Sequence, residues 1–166
     1  MGIVSILLVI IINFIFQTTL FQHFRIFGVL PNTTLIIVIV FAILWGRKRG
    51  AMVGFFSGAL QDILFGTILG LNALIYMLLG FSVGSFENKI FKDNAITPIF
   101  FTVLGTIFYH LLYYLIIYAT QNKIDFAVIF GKIIAIETVC NSILSGFAYN
   151  KLFHYLYQSK IKIKIR

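Results

Sequence analysis

Residues 50–84 read GAMVGFFSGALQDILFGTILGLNALIYMLLGFSVG, and Asp62 is the one charged residue in the stretch. One helix of that length would be about 52 Å long at 1.5 Å per residue, about 20 Å longer than the hydrocarbon core of a bilayer. The stretch therefore reads as two helices joined by a tight turn. Gln61-Asp62 followed by Gly66-Thr67 supplies the break, giving helices over 51–65 and 67–86.

The whole chain has the same character. Of its 166 residues 60% are hydrophobic and 11% charged, where a soluble domain carries about 25% charged residues. The mean hydropathy is +1.01. Such a chain cannot cover a globule with polar surface, so it needs lipid, where every backbone N–H and C=O must be paired internally. A closed barrel would alternate apolar and polar residues with period two. The apolar runs at 35–44 and 99–104 are continuous instead. The expectation is an all-α integral membrane protein.

Working outward, helices are expected over 2–21, 30–45, 51–65, 67–86, 97–118 and 126–150: a six-transmembrane-helix bundle forming one transmembrane domain, with a basic tail at 151–166. The first helix resembles a signal peptide, but residues 1–5 carry no Lys or Arg and 17–22 offer no small-residue cleavage site, so it reads as retained. Pro31 suits the first turn of the second helix, with Asn32 or Thr33 as its cap. The single cysteine, Cys140, excludes an intramolecular disulfide and says nothing of redox compartment.

The net charge of +8 is distributed by side. With six helices, Arg47, Lys48, Arg49, Lys89, Lys92, Lys151, Lys160, Lys162, Lys164 and Arg166 fall on the side of both termini, against Arg25, Lys123 and Lys132. That is the positive-inside asymmetry, and it predicts cytoplasmic termini in a bacterial inner membrane. Arg47, Lys48, Arg49 and the tail residues Lys160, Lys162, Lys164 and Arg166 would lie on anionic lipid headgroups. Nucleic acid is not an expected partner, because no folded soluble module accompanies the charge.

Gly46, Gly50, Gly54, Gly58, Gly66 and Gly70 recur at four-residue steps, interrupted only by Asp62. Small residues on one drifting helix face let a second backbone approach closely, as helix packing or as a partner interface. Gly80 and Gly84 continue the spacing on the next helix. Gln61 and Asp62 form a polar pair at the hairpin, where a carboxylate can accept N–H groups from Gly66, Thr67 or nearby residues. His110 and Glu137 lie at matching depths on sequential antiparallel helices, and pairing would lower the desolvation cost of each. Asn141 is one turn from Glu137 and Ser145 lies beyond; a proton relay would use the same group types. Tyr109, Tyr113, Tyr114 and Tyr118 fill the outer half of the fifth helix, as core, as interfacial belt or as a ligand surface. No phosphate loop, HExxH, paired-Cys metal motif or Ser/His/Asp set is present, so no enzyme and no cofactor is expected.

Leu30-Pro31-Asn32, Trp45-Gly46 and the pattern of Gly58, Gln61, Asp62, Gly66, Gly70, Leu71, Gly80 and Gly84 resemble the bacterial rod shape-determining protein MreD family. Gln17-Thr18-Thr19 is similar too. The motifs cover mainly residues 13–84, while 95–166 agree in hydropathy alone. The resemblance implies a non-enzymatic membrane scaffold of the cell-wall elongation machinery, maintaining rod shape and side-wall peptidoglycan synthesis. Its implied partners are a single-span MreC-like protein and, through it, an MreB-like filament and the cell-wall synthases. It also implies a fold similar to the S-component of energy-coupling-factor transporters. That similarity supplies the alternative function, a substrate-binding subunit for a vitamin or metal ion with Asn72, His110 and the tyrosines lining its cavity.

Overall fold

The computed structural model describes residues 3–19, 28–66, 68–89, 92, 94, 96–121 and 127–164. Every regular element among them is helical: α1 (Ile3–Thr19), α2 (Thr33–Phe65), α3 (Leu71–Gly84), a 3₁₀ turn at Glu87–Lys89, α4 (Ile96–Gln121) and α5 (Ala127–Lys164).

Pro31 lies just outside α2, and Asn32 caps it by accepting the Leu35 N–H on Oδ1 at 3.0 Å. The helix breaks once, at Gly46, where φ is 81° and ψ is −177°. Only glycine adopts that backbone without strain. The arms 33–45 and 47–65 then fold back on each other. Ala42 Cβ lies 2.7 Å from where a Cβ on Gly50 would stand, and Gln61 Nε2 donates to Thr34 Oγ1 at 2.8 Å. The loop expected at 46–50 is thus one residue long. Arg47, Lys48 and Arg49 are good helix formers and open the second arm, exposed.

The second arm ends at Phe65. The Gly66 N–H closes the last turn on the Asp62 carbonyl at 3.0 Å, and Gly70, left-handed at φ 89°, starts α3. The helix expected over 67–86 therefore begins at Leu71, since the conformations of Gly66 and Gly70 cannot be continued helically. α4 and α5 run antiparallel, with Gly105 of α4 set against Ile39 and Gly146 of α5 against Ile99. The helix expected to stop at 150 continues to Lys164. No Gly or Pro follows Gly146, so nothing in the backbone terminates it.

The first arm of α2 is the centre of the bundle. Leu35, Val38, Ile39, Ala42 and Ile43 are wholly buried, as a helix apolar on all sides must be. The exterior is apolar as well: Ile11, Phe55, Phe56, Ile63, Leu104, Leu115, Ile143 and Phe147 are exposed. An apolar core inside an apolar surface fits a hydrocarbon solvent. Among the described residues Ile96–Thr120 is long and apolar enough to cross a membrane by itself, and Ile6–Thr19 is apolar but shorter.

Candidate functional site

Most of the buried polar side chains gather in the half of the bundle opposite Gly46. Asp62, 2% exposed, points from the end of α2 into the first turn of α3. Its Oδ1 accepts the Asn72 N–H at 3.1 Å and Asn72 Nδ2 at 2.8 Å, and its Oδ2 accepts the Ala73 N–H at 2.9 Å. A carboxylate on otherwise unpaired first-turn N–H groups is the favourable end of a helix dipole interaction. The donors are those of Asn72 and Ala73; the nearby Gly66 N–H goes to the Asp62 backbone carbonyl.

Asn72 passes the network on. Its Oδ1 accepts from the Tyr109 hydroxyl at 2.7 Å, and the Tyr109 ring stacks on Tyr76 with centroids 5.1 Å apart. The Tyr76 hydroxyl meets the side-chain amide of Asn32 at 2.8 Å, and the Asn32 backbone N–H donates to Asn141 Oδ1 at 2.8 Å. Asn141 Nδ2 reaches Thr106 Oγ1 at 3.2 Å and Glu137 Oε1 at 3.3 Å. Glu137 Oε2 lies 2.8 Å from His110 Nε2. Their side chains are 8% and 12% exposed, so each removes much of the cost of burying the other. Asp62, His110, Glu137 and Asn141 thus belong to one chain of contacts crossing four helices. Ser145 is buried and turned to its own helix, donating to the Ser142 carbonyl. Tyr113 stacks on Tyr109, while Tyr114 and Tyr118 stack on each other farther out.

Gln61 belongs to a second cluster with α1. Its Nε2 donates to Gln17 Oε1 at 3.2 Å as well as to Thr34; Thr34 Oγ1 donates to Gln17 Oε1 at 2.6 Å, and Asn13 Nδ2 to Thr34 Oγ1 at 3.2 Å.

The glycines face inward. A Cβ on Gly54 would overlap the Tyr76 carbonyl, one on Gly58 would stand 2.5 Å from the Ala73 Cα, and one on Gly84 2.5 Å from the Arg47 Cα; Gly50 and Gly80 meet each other's carbonyls. The second arm of α2 and α3 therefore touch backbone to backbone, and these five positions face that contact. Gly66 and Gly70 serve the turn. At the opposite end, Glu87 packs over Gly46 and pairs with Lys92 at 2.7 Å; Lys92 Nζ also reaches the Leu44 carbonyl at 3.4 Å. Of the inner-leaflet residues, Arg47, Lys48 and Arg49 are exposed, with Arg47 6.0 Å over the Phe81 ring. Arg166 and the side chains of Lys160, Lys162 and Lys164 lie outside the described residues.

Asn13, Thr34, Tyr76, Thr106 and Glu87 were not among the site residues read from sequence. Asn13 alone interrupts an apolar run, which is a usable signal; Tyr76 and the threonines suit a membrane helix in any orientation.

A helical bundle with an apolar exterior and its polar side chains turned inward to one another defines the class: a membrane-embedded helical protein. The family model described as rod shape-determining protein MreD matches residues 1–160, and the chain belongs to that family. Comparison with curated proteins and with solved structures gives no match. Membership carries a role in rod shape determination and a place in the membrane.

Proposed function

We propose that the chain is a non-enzymatic scaffold of the cell-wall elongation machinery, spanning the inner membrane six times with both termini cytoplasmic. It holds a single-span MreC-like protein and, through it, an MreB-like filament and the side-wall peptidoglycan synthases. The observation that carries this reading is the family match over residues 1–160. Supporting it, the Asp62 carboxylate caps the first turn of α3 and that of Glu87 pairs with Lys92 over Gly46, both of which hold the fold together.

The glycine face between α2 and α3 is occupied within the chain, so the partner's helix belongs on an outward apolar face. The exposed Arg47, Lys48 and Arg49 and the tail lysines attach the bundle to anionic headgroups.

The test is purification in mild detergent from the native membrane, with identification of what accompanies the chain. A single-span protein with a large extracytoplasmic domain, together with wall synthases, is the expected result. A paired ATPase with a coupling subunit, or a retained vitamin, would replace the scaffold reading with a transporter subunit. Reporter fusions at residues 48 and 123 check the topology: the first should report cytoplasm and the second the outside.

A further inference from the structure

A groove of about 330 Å³ lies between α1, the first arm of α2 and α5. Ile12, Phe16 and Phe147 line it and are exposed at the surface. One polar side chain interrupts this apolar lining from within the bundle: Asn13, 8% exposed. Its orientation follows from counting protons. Thr34 has one hydroxyl proton, which goes to Gln17 Oε1 at 2.6 Å. Toward Asn13 the hydroxyl can therefore only accept, and it takes Nδ2 at 3.2 Å. That turns Nδ2 toward Thr34 and Oδ1 away from it. No described group donates to Asn13 Oδ1. Nor is the atom sealed inside the protein: among the described residues, Thr138 Oγ1 is the one enclosed side-chain polar atom without a partner. The open space that Asn13 borders is the groove, so an unmet acceptor looks into it. Thr33, the other polar residue of the lining, gives its proton to Gln17.

An acceptor left unmet in hydrocarbon is costly, so the occupant that suits this groove is apolar and brings a donor. A lipid tail fits the walls and has no donor. Lipid donors belong to the headgroup, whereas Asn13 lies six residues, about 9 Å, inside the end of α1 at Thr19. A helix carries a hydroxyl or a carboxamide at any depth, and such groups join helices within membranes. The groove has room for the side chains of a facing helix and not for a rod about 10 Å across, so that helix would lie against α1 and α5 with one face inserted.

We propose that this groove docks the transmembrane helix of the single-span partner, through a Ser, Thr, Asn or Gln side chain that donates to Asn13 Oδ1. The proposal rests on the scaffold reading for the partner's existence, and adds the face and the contact.

The experiment replaces Phe147 or Ile12 of the full chain with p-benzoylphenylalanine in its native cells, with Leu115 on the exposed side of α4 as the control, and sequences the adducts. At Phe147 and Ile12 the adduct should be to the transmembrane segment of the single-span protein that accompanies the wild-type chain in detergent, within about one turn of such a donor. At Leu115 it should be to lipid. If the wild-type chain recovers no single-span protein, the scaffold reading falls and this proposal with it. If it recovers one that is captured at Leu115 and not at the groove, the proposal alone falls. Phospholipid adducts alone at Phe147 and Ile12, adducts to a second copy of the chain, or none, also overturn it. In detergent, Asn13→Leu should weaken retention of the partner by about threefold to twentyfold. The variant chain alone should melt near wild type, because Thr34 keeps Gln17 and Gln61. Ala148→Phe fills the groove from α5, leaves the Asn13 bond in place and should weaken retention as well; it serves if Asn13→Leu does not fold. Retention unchanged by both variants overturns the proposal.

Discussion

Replacing Gly54 by alanine adds one methyl group where the structure has no room for it. The new Cβ would lie 2.5 Å from the Tyr76 carbonyl carbon and 2.9 Å from the Met77 nitrogen, against about 3.5–4.0 Å for relaxed contact between carbons. Both obstacles are α3 backbone, which has no rotamer to change, so the helices must part by about 1 Å. A gap of that size forfeits a quarter to a half of each contact's attraction, and Gly50, Gly58, Gly80 and Gly84 lie along the same seam. Overpacking costs about 1–3 kcal/mol, and a backbone obstacle puts this site at the top of that range. The better helix propensity of alanine returns about 1 kcal/mol. The net loss of about 2 kcal/mol corresponds to a fall in Tm of about 4–8 °C for a chain of this size. The control is Gly131→Ala on α5, where a Cβ meets nothing within 4 Å; it gains propensity alone and should hold or raise Tm. Both are read as thermal melts in one detergent. If Gly54→Ala and Gly131→Ala shift Tm alike, the backbone seam is wrong.

His110→Ala and Glu137→Ala should each cost about 3–5 kcal/mol, because each strands a buried partner. The double variant should cost less than their sum by about 1–3 kcal/mol, and additive melts would reject the pair. Asp62→Ala leaves three donors of the α3 first turn and Asn72 unmet, at about 1–3 kcal/mol each; Asp62→Asn keeps one acceptor oxygen and should recover part of the loss, whereas equal melts for the two variants would show the cap to be unimportant. Gly46→Ala and Gly70→Ala share the strain of a positive φ, about 1–2 kcal/mol. Only the former also displaces Glu87, and it should melt lower; the reverse order would remove Glu87 from the account of that turn.

The hairpin at Gln61-Asp62 was legible because a bilayer has a thickness: an apolar run about 20 Å too long must turn, and one acid with flanking glycines marks where. His110 and Glu137 were readable together for a related reason, since sequential antiparallel helices bring equal depths together and a lone acid and a lone imidazole in hydrocarbon have few other partners. The turn at Gly46 was less so. Three basic residues beside it look like a loop, and only the backbone shows that one left-handed residue reverses the chain and leaves them helical. The link from Asn32 through Tyr76 to Tyr109, and that from Asn32 to Asn141, join residues 33 to 109 positions apart in sequence, and hydropathy carries no information about which distant rods touch. The continuation of α5 past residue 150 was masked by its charge, which suggests a tail although its residues are ordinary helix formers.

The rods of this bundle are unequal. The arms of α2 are about 20 and 29 Å long and the 14 residues of α3 about 21 Å, while the 26 residues of α4 reach about 39 Å. A hydrocarbon layer of about 30 Å is matched by neither α3 nor α4. In the six-span arrangement proposed above, the membrane thins on the flank formed by α3 to meet its ends and need not on the flank formed by α4, which gives a lipid annulus of uneven thickness. Deforming a bilayer costs a fraction of a kcal/mol per ångström of mismatch, and that cost falls when two thinned flanks share one depression. The short side thereby draws other short-spanned proteins toward it before any side chain has made contact.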